Sequence, residues 1–220
     1  MKPEIILEED EFIVVNKPVG LSVHNGTPSE PCVLDFYPSY HLAHRLDKET
    51  SGVLVLTKNN PTQMMTILSS ENSQKYYLAL LRGSITGPTT FEWNQKLTDK
   101  AEGRKNPQGK ASDRLPCSTI VTIDKQNKFM TLATCLIKTG RQHQIRKHAA
   151  INKHPIVGDP RYNDPTYNKK IATLYNTDRM FLHAHRLIMP YKNKTLTLEA
   201  PLDNTFQKTI NTLSAAALEG

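Results

Sequence analysis

The stretch HRLDKETSGVLVLTK, residues 44–58, joins a charged loop to an apolar run, and the prediction for the whole chain is built around it. Successive side chains of an extended segment point in opposite directions, so Arg45 and Asp47 share one face. ThrSerGly at 50–52 is typical of a turn, and the apolar run at 53–56 suits a strand buried on both faces. The stretch predicts a guanidinium and a carboxylate held together on a tight loop beside a rigid strand. Such a pair is more often a plain salt bridge than a functional site, so features elsewhere in the chain are needed to distinguish the two.

The bulk composition indicates one soluble domain. A chain of 220 residues, 38% of them hydrophobic, suffices for a sizeable core. No apolar run approaches the ~20 residues of a membrane-spanning helix, and the amino terminus lacks the pattern of a secretory signal. The widely spaced Cys32, Cys117 and Cys135 form neither a disulfide framework nor a metal-binding pattern. We therefore expect a cytoplasmic protein without a membrane partner.

The distribution of charge favours a polyanionic partner. The chain carries 28 basic and 21 acidic residues, a formal net charge of +7. Six of the basic residues lie between Lys138 and Arg161, where Asp159 is the only acidic residue. Such clustering suits nucleic acid best, although many basic proteins bind none.

The hydrophobic pattern predicts an α+β fold. Most predicted strands are joined by turns or hairpins, which favours a largely antiparallel mixed β-sheet flanked by helices and loops. One domain is predicted over residues 1–214, with 215–220 as a disordered tail or cloning remnant, and the polar connection at 98–114 is expected to be mobile. Strands are predicted at 5–7, 12–15, 53–56, 75–82, 91–97, 117–123, 129–137, 180–189 and 195–200, and helices from Pro61, from Arg141 to Asn152 and after Asp203.

Several segments, in order, resemble the motifs of the RluA-type family of RNA pseudouridine synthases. HRLDKETSG at 44–52 is similar to the family signature HRLDxxTSG, in which the aspartate is catalytic. The resemblance runs from about residue 12 to residue 202. Its other segments are NKPVGLSVH (16–24), KYYLALLRG (75–83), TGRQHQIRKH (139–148), HPIVGDPRY (154–162), FLHAHRLIM (181–189) and LEAPL (198–202).

The resemblance implies a pseudouridine-synthase catalytic domain and gives roles to five side chains. Asp47 is the catalytic carboxylate, and Arg146 pairs with it to keep it ionised. Arg45 helps to displace the target uridine and occupies the space that the nucleotide leaves. Tyr77, rather than Tyr76, matches the family tyrosine that stacks on the flipped base or handles a proton. Ile145 supplies an apolar wall.

A second group of residues is expected to contact the RNA. Lys17, Arg141 and Lys147 are assigned to RNA phosphates, together with Lys153 and Arg161. His44 is assigned to the RNA-binding and base-flipping group. Alternation turns its side chain away from Asp47, so it is expected to serve as a structural hydrogen-bonding histidine and not as a general base.

No cofactor or metal is expected. The isomerisation breaks the bond from the ring nitrogen to the sugar, turns the base and rejoins it through carbon 5, so atoms are only rearranged. His143, His148, His183 and His185 invite a metal hypothesis, but no carboxylate or cysteine is spaced to complete such a site.

The sequence leaves three hypotheses for the function. The first is an RNA pseudouridine synthase that acts, as a monomer, on a flipped uridine in a structured stem-loop of tRNA or rRNA. The second is a non-catalytic RNA-binding or RNA-chaperone protein of the same fold. The third is a ribonuclease that uses histidines as acid and base. Because the first motif begins almost at once, a compact stem-loop is the expected target.

Overall fold

The computed structural model describes residues 2–24, 27 and 29–215, and the chain divides into two compact units. The first unit comprises Met1–Tyr76 and His183–Leu202, and the second comprises Tyr77–Leu182 and Asp203–Gly220. In chain order the elements are β1 (Glu4–Glu8), β2 (Phe12–Lys17), α1 (Val33–Phe36), β3 (His41–Leu42), β4 (Ser51–Thr57), α2 (Pro61–Ser69), β5 (Gln74–Arg82), β6 (Thr90–Trp93), a 3₁₀ turn (Ala111–Asp113), β7 (Thr119–Gln126), β8 (Met130–Ile137), α3 (Gln144–Ile151), α4 (Pro165–Tyr175), β9 (Leu182–Tyr191), β10 (Lys194–Glu199) and α5 (Asn204–Ala215).

The sheet of the first unit is centred on β4. This strand pairs antiparallel with β2 and β3 and parallel with β9, through the register pairs Ser51 with His183 and Gly52 with Ala184. β1 extends the sheet beyond β2, and β10 pairs antiparallel with β9. Every residue of β4 is buried, as the unbroken apolar run predicted.

Helix α2 covers this sheet, and its local sequence explains its start. The side chain of Asn60 accepts a hydrogen bond from the backbone N–H of Gln63 at 3.0 Å, and Pro61 occupies the first turn. Met64 and Leu68 are buried. They share one hydrophobic cluster with Phe12, Val14, Val53, Val55, Leu187 and Met189.

The second unit contains β6, β7, β8 and most of β5, and it has its own hydrophobic core. β6, β7 and β8 pair antiparallel in that order, and β5 lies next to β8. Ile145 and Ala149 of α3 are buried in the main cluster of this unit. That cluster also contains Ala79, Leu81, Trp93, Val121, Ala133, Cys135, Ile156 and Leu182.

The predicted α+β class and the mixed, largely antiparallel pairing are confirmed. α3 begins at Gln144 and not at Arg141, because the preceding His143 has a left-handed backbone with φ of 56°. Helix α5 ends at Ala215, and the rest of the tail predicted at 215–220 lies outside the described residues. No helix in the described part of the chain is long and apolar enough to cross a membrane.

The segment 98–114, expected to be mobile, is tied down by hydrogen bonds. Its two ends join in a bridge between Leu97 and Leu115, and Thr98 N–H donates to the Gln108 carbonyl at 3.1 Å. Thr98 is fully buried. The sequence did not predict this ordered structure, because the segment is polar and its hydrogen-bond partners are distant in the chain.

We predict that Gly52→Ala destabilises the protein. The backbone of Gly52 has φ of +112°, and an added Cβ would lie 2.2 Å from the Ala184 carbonyl oxygen on the paired strand. Strain and overlap should lower the free energy of unfolding by about 3 kcal/mol or more, measured by urea denaturation. Gly103→Ala is the matched control, since an added Cβ there meets nothing within 4 Å. A value for Gly52→Ala within about 0.5 kcal/mol of the control would contradict the prediction.

Candidate active site

Asp47 lies on the loop that leads into β4. The Thr50 N–H donates to the Asp47 carbonyl at 3.0 Å, which closes a turn directly after the carboxylate. Asp47 is half-buried, whereas the neighbouring Arg45 is exposed and Leu46 is buried. The loop therefore anchors itself through Leu46 and presents the two charged side chains of the signature motif, as the alternation predicted.

Lys17 joins this loop to the first motif. Its ammonium is fully buried and donates to the carbonyls of Pro18 at 2.9 Å, Leu21 at 2.8 Å and Lys48 at 3.1 Å. The Gly20 N–H also donates to the Lys48 carbonyl, at 2.8 Å. A buried ammonium needs such partners, since burial without them is very costly. This corrects the expectation of a phosphate contact, because carbonyl oxygens enclose the charge.

His44 ties the same loop to β4. Its Nε2 accepts a hydrogen bond from the Val55 N–H at 3.0 Å, so the ring is neutral and carries its proton on Nδ1. Burial, with a smaller contribution from the positive charge of Lys75, lowers the pKa of His44 to about 3. The bond matches the structural hydrogen-bonding role expected from alternation.

Arg146 is held in the second unit by a buried ion pair. Its Nε donates to Asp159 Oδ2 at 2.8 Å and its Nη2 donates to Asp159 Oδ1 at 3.0 Å. Only 2% of Arg146 and none of Asp159 is exposed. The Asp159 carboxylate also accepts the backbone N–H groups of Arg161 at 2.8 Å and Tyr162 at 3.0 Å. The aspartate is therefore fully engaged, and the guanidinium plane is fixed in orientation.

Tyr162 and His143 continue this network. The guanidinium of Arg146 lies over the Tyr162 ring at 5.4 Å, and the Tyr162 hydroxyl and His143 Nδ1 are hydrogen-bonded at 3.0 Å. Neither Asp159 nor Tyr162 has a role predicted from the sequence. The segment HPIVGDPRY contained both, and the signal that could have identified Asp159 is its position as the single acid among six cations.

Lys147, expected at RNA phosphates, is also a buried structural cation. Its ammonium donates to the carbonyls of Thr98 at 2.8 Å and Lys100 at 2.7 Å, and none of the residue is exposed. The backbone of α3 turns this side chain inward, onto the segment that follows β6. The expectation of a direct phosphate contact is corrected for this lysine as it is for Lys17.

The remaining predicted residues of the second unit are two that pack in or against its core and three basic residues that are half-buried or exposed. Ile145 is buried in the core cluster, and the half-buried Tyr77 of β5 packs against that cluster. Arg141 is half-buried, and its Nε is buried without a hydrogen-bond partner among the described residues. Lys153 is exposed, and the exposed Arg161 donates to the carbonyls of Ala101 and Glu102 at 3.3 and 3.4 Å.

Three of the four histidines of the metal hypothesis serve as hydrogen-bonding groups, whereas the buried Nδ1 of His185 has no hydrogen-bond partner among the described residues. His148 contacts the Thr119 hydroxyl and the Gln95 carbonyl at 2.9 Å each, and burial lowers its pKa. His183 contacts the Ser51 hydroxyl at 2.9 Å and the Ala200 carbonyl at 3.1 Å. Across residues 2–24, 27 and 29–215, no group of three or more His, Cys, Asp or Glu side chains is arranged to hold a metal ion.

Comparison with known proteins gives one family. The model of the RNA pseudouridylate synthase family matches residues 11–151. The chain is 33% identical to tRNA pseudouridine synthase C of Vibrio parahaemolyticus, over 93% of this chain and 92% of that protein. It is also 33% identical to ribosomal large subunit pseudouridine synthase C of Buchnera aphidicola, over 95% of this chain and 70% of that protein. The solved structure of human RNA pseudouridylate synthase domain containing 4 has the same fold, with a TM-score of 0.78 at 23% identity over 96% of this chain and 93% of that chain.

We predict that His44 makes the protein sensitive to acid. Its folded-state pKa of about 3 lies below the unfolded value near 6.5, so between those values the unfolded chain binds a proton that the folded chain does not. Stability therefore falls as the pH drops through this window. Gln at position 44 keeps an acceptor but does not titrate. Lowering the pH from about 7 to about 4.5 should cost the wild type about 2 kcal/mol more than His44→Gln.

The check is urea denaturation of both proteins at the two pH values. His41→Gln is the matched control, since His41 is exposed in the same unit. Equal acid sensitivity of His44→Gln and the wild type would refute the account of a buried neutral ring.

Proposed function

The chain belongs to the RNA pseudouridylate synthase family, and from that premise we propose that Asp47 initiates the conversion of a uridine in RNA to pseudouridine. The enzyme is an isomerase, and the reaction needs one reactive group and a means of exposing the base. The observation that carries the proposal is the geometry of the Asp47 loop. A half-buried carboxylate on a hydrogen-bonded turn, fixed through Lys17, is suited to attack at one defined position.

The carboxylate has three possible routes. It can attack the sugar, attack the base, or help to remove a sugar proton, and each route requires the ionised form. A guanidinium close to a carboxylate favours its ionised form. We assign this role to Arg146. Its bonds to Asp159 through Nε and Nη2 hold the guanidinium in one orientation.

The target base has to leave its stack before Asp47 can act on it. Unstacking costs a few kcal/mol, and a side chain that fills the vacated space offsets part of this cost. The exposed guanidinium of Arg45 is long and planar, which suits it to that place. We assign Tyr77 to stack on the flipped uracil or to move a proton. Its packing against the cluster that contains Ile145 would keep the ring in one orientation.

Cationic side chains that reach the protein surface are assigned to contact the RNA phosphates. Arg141 is half-buried, so part of the residue reaches the surface, and it remains assigned to a phosphate. Lys153 is exposed and remains assigned to a phosphate. Lys17 and Lys147 are assigned structural roles instead, because carbonyl oxygens surround their ammonium groups.

The relatives favour tRNA as the first substrate to test. The protein named tRNA pseudouridine synthase C is matched along 92% of its length, and the ribosomal large subunit enzyme of Buchnera along 70%. We propose a structured stem-loop of tRNA as the target, with ribosomal RNA as the alternative. We further propose that the two units act as one catalytic domain over 1–214, in a monomer, and that the enzyme is cytoplasmic. The free, buried thiols of Cys32, Cys117 and Cys135 fit a reducing compartment.

We predict that Asp47→Ala abolishes isomerisation while RNA binding persists. The hydrogen at carbon 5 of uridine has to leave when the new carbon bond forms, so tritium placed there is released into water. RNA transcripts labelled in this way should lose tritium with the wild type and show at least a roughly 10³-fold slower release with Asp47→Ala, because the reactive group is gone.

Asp10→Ala is the matched control, since Asp10 is an exposed aspartate of the same unit. It should release tritium at the wild-type rate. Unimpaired release by Asp47→Ala, or an equal loss of release and of RNA affinity, would count against the catalytic assignment.

A further inference from the structure

Residues 96–114, which we name the basic arm, form a closed and charged extension of the second unit. The arm contains six basic and three acidic residues. Leu97 and Leu115 exchange backbone hydrogen bonds at 3.0 and 2.8 Å where the arm begins and ends. Within the arm, the guanidinium of Arg114 donates twice to the Gly109 carbonyl, at 3.1 and 2.7 Å. The arm therefore has a defined shape before any ligand binds.

The first anchor of the arm is the start of α3. The buried ammonium of Lys147 donates to the Thr98 and Lys100 carbonyls, and the Gln142 N–H donates to Asp99 Oδ1 at 2.8 Å. Lys147 follows Arg146 directly in the chain. The arm is thus attached to the helical turn that carries the guanidinium assigned to catalysis.

The second anchor is the turn that carries Asp159. Arg161 donates to the carbonyls of Ala101 and Glu102, as described above. Arg104 Nη1 donates to Asp164 Oδ2 at 3.1 Å. The arm is therefore fixed to the two segments that supply the Arg146–Asp159 ion pair.

The acidic and basic side chains of the arm differ in their partners. Its acidic side chains are engaged within the protein: Asp99 by a backbone N–H, Glu102 by the Thr98 hydroxyl at 2.9 Å, and Asp113 by Lys100 at 3.0 Å. Lys96 and Lys105 are exposed, and neither forms an ion pair with any residue that the structure describes. The exposed part of the arm therefore includes lysines whose positive charge is not balanced by an ion pair.

We propose that the basic arm is a pre-ordered contact for the phosphate backbone of the substrate RNA, and that Lys147 is the positioning residue that holds it. The substrate class rests on the proposed function. Point charges on flexible stems suit phosphates, which carry no base information, so the arm adds affinity and sets the position of the RNA. A fixed arm also lowers the ordering cost that a mobile loop would incur on binding.

The first test neutralises the outer charges with the double variant Lys96→Gln, Lys105→Gln. Binding of fluorescent tRNA is measured across a salt series, and kcat and KM are measured by tritium release. We expect affinity to fall roughly tenfold, and the slope of log affinity against log salt to decrease by about 0.7–0.9 for each lost phosphate contact. Because the reacting groups are untouched, kcat at saturating RNA should stay at the wild-type value.

The matched control is Lys169→Gln, Lys170→Gln, which removes two exposed lysines from α4 of the same unit. The control should bind tRNA with the wild-type affinity and salt slope. An equal loss in both double variants would mean that only net charge matters, and this would overturn the proposal. Unchanged affinity in the arm variant would overturn it as well.

The second test removes the anchor with Lys147→Met. We expect faster trypsin cleavage after Lys100, Arg104 and Lys105, a raised KM and an unchanged kcat. Cleavage of the arm at the wild-type rate would remove Lys147 from its positioning role. Cleavage throughout the protein together with a loss of kcat would also exclude a specific positioning role, since it would show that Lys147 stabilises the whole unit. In that case the Lys96→Gln, Lys105→Gln variant alone tests whether the arm binds RNA.

The two proposals fail in different ways. If the wild type binds tRNA without releasing tritium, and the arm variant binds less tightly, the arm stands and the proposed function falls. If the wild type releases tritium and the arm variant binds tRNA as tightly as the wild type does, the proposed function stands and the arm proposal falls. A wild type that binds neither tRNA nor rRNA would overturn both.

Discussion

The buried ion pair of Arg146 and Asp159 is the interaction on which the organisation of the second unit depends. A guanidinium with 2% exposure is tolerated because the fully buried carboxylate meets it at two points and accepts two further backbone N–H groups. Those N–H groups belong to Arg161 and Tyr162, so the pair also shapes the turn that follows α3. The arginine proposed for catalysis, this turn and the basic arm are thereby connected through hydrogen bonds.

The same principle governs the two buried lysines. Lys17 and Lys147 each place an ammonium among backbone carbonyls, Lys17 in the first unit and Lys147 in the second. Irregular loops contain carbonyls that no helix or strand satisfies, and a buried ammonium can satisfy several at once. Long cationic side chains therefore take over in the loops the ordering role that regular secondary structure has elsewhere. The role proposed for Asp47 requires rigid loops, since a reactive carboxylate has to be held in one position.

The sequence predicted what depends on local pattern and on motif. The unbroken apolar run of β4, the Asn60 cap of α2 and the alternation around Asp47 follow from periodicity and capping, and each is seen in the structure. Lys17 and Lys147 could not be placed in this way, because a lysine in a basic motif is usually exposed and its burial is decided by carbonyls brought near by folding. Asp159 was missed for the same reason, since its partner Arg146 lies thirteen residues away and a turn brings the two together. The residues proposed for catalysis come from motifs, and the residues that hold those motifs in place became visible only in the folded chain.

Isomerase activity can be measured directly from the nucleoside composition of tRNA before and after incubation with the protein. The isomerisation conserves atoms, so the account predicts that pseudouridine appears in an amount equal to the uridine lost, while the length and mass of each RNA stay the same. RNA that is shortened would instead indicate a ribonuclease. RNA that is bound but unchanged in composition, with tRNA and with ribosomal RNA alike, would contradict the account and favour a binding protein of the same fold.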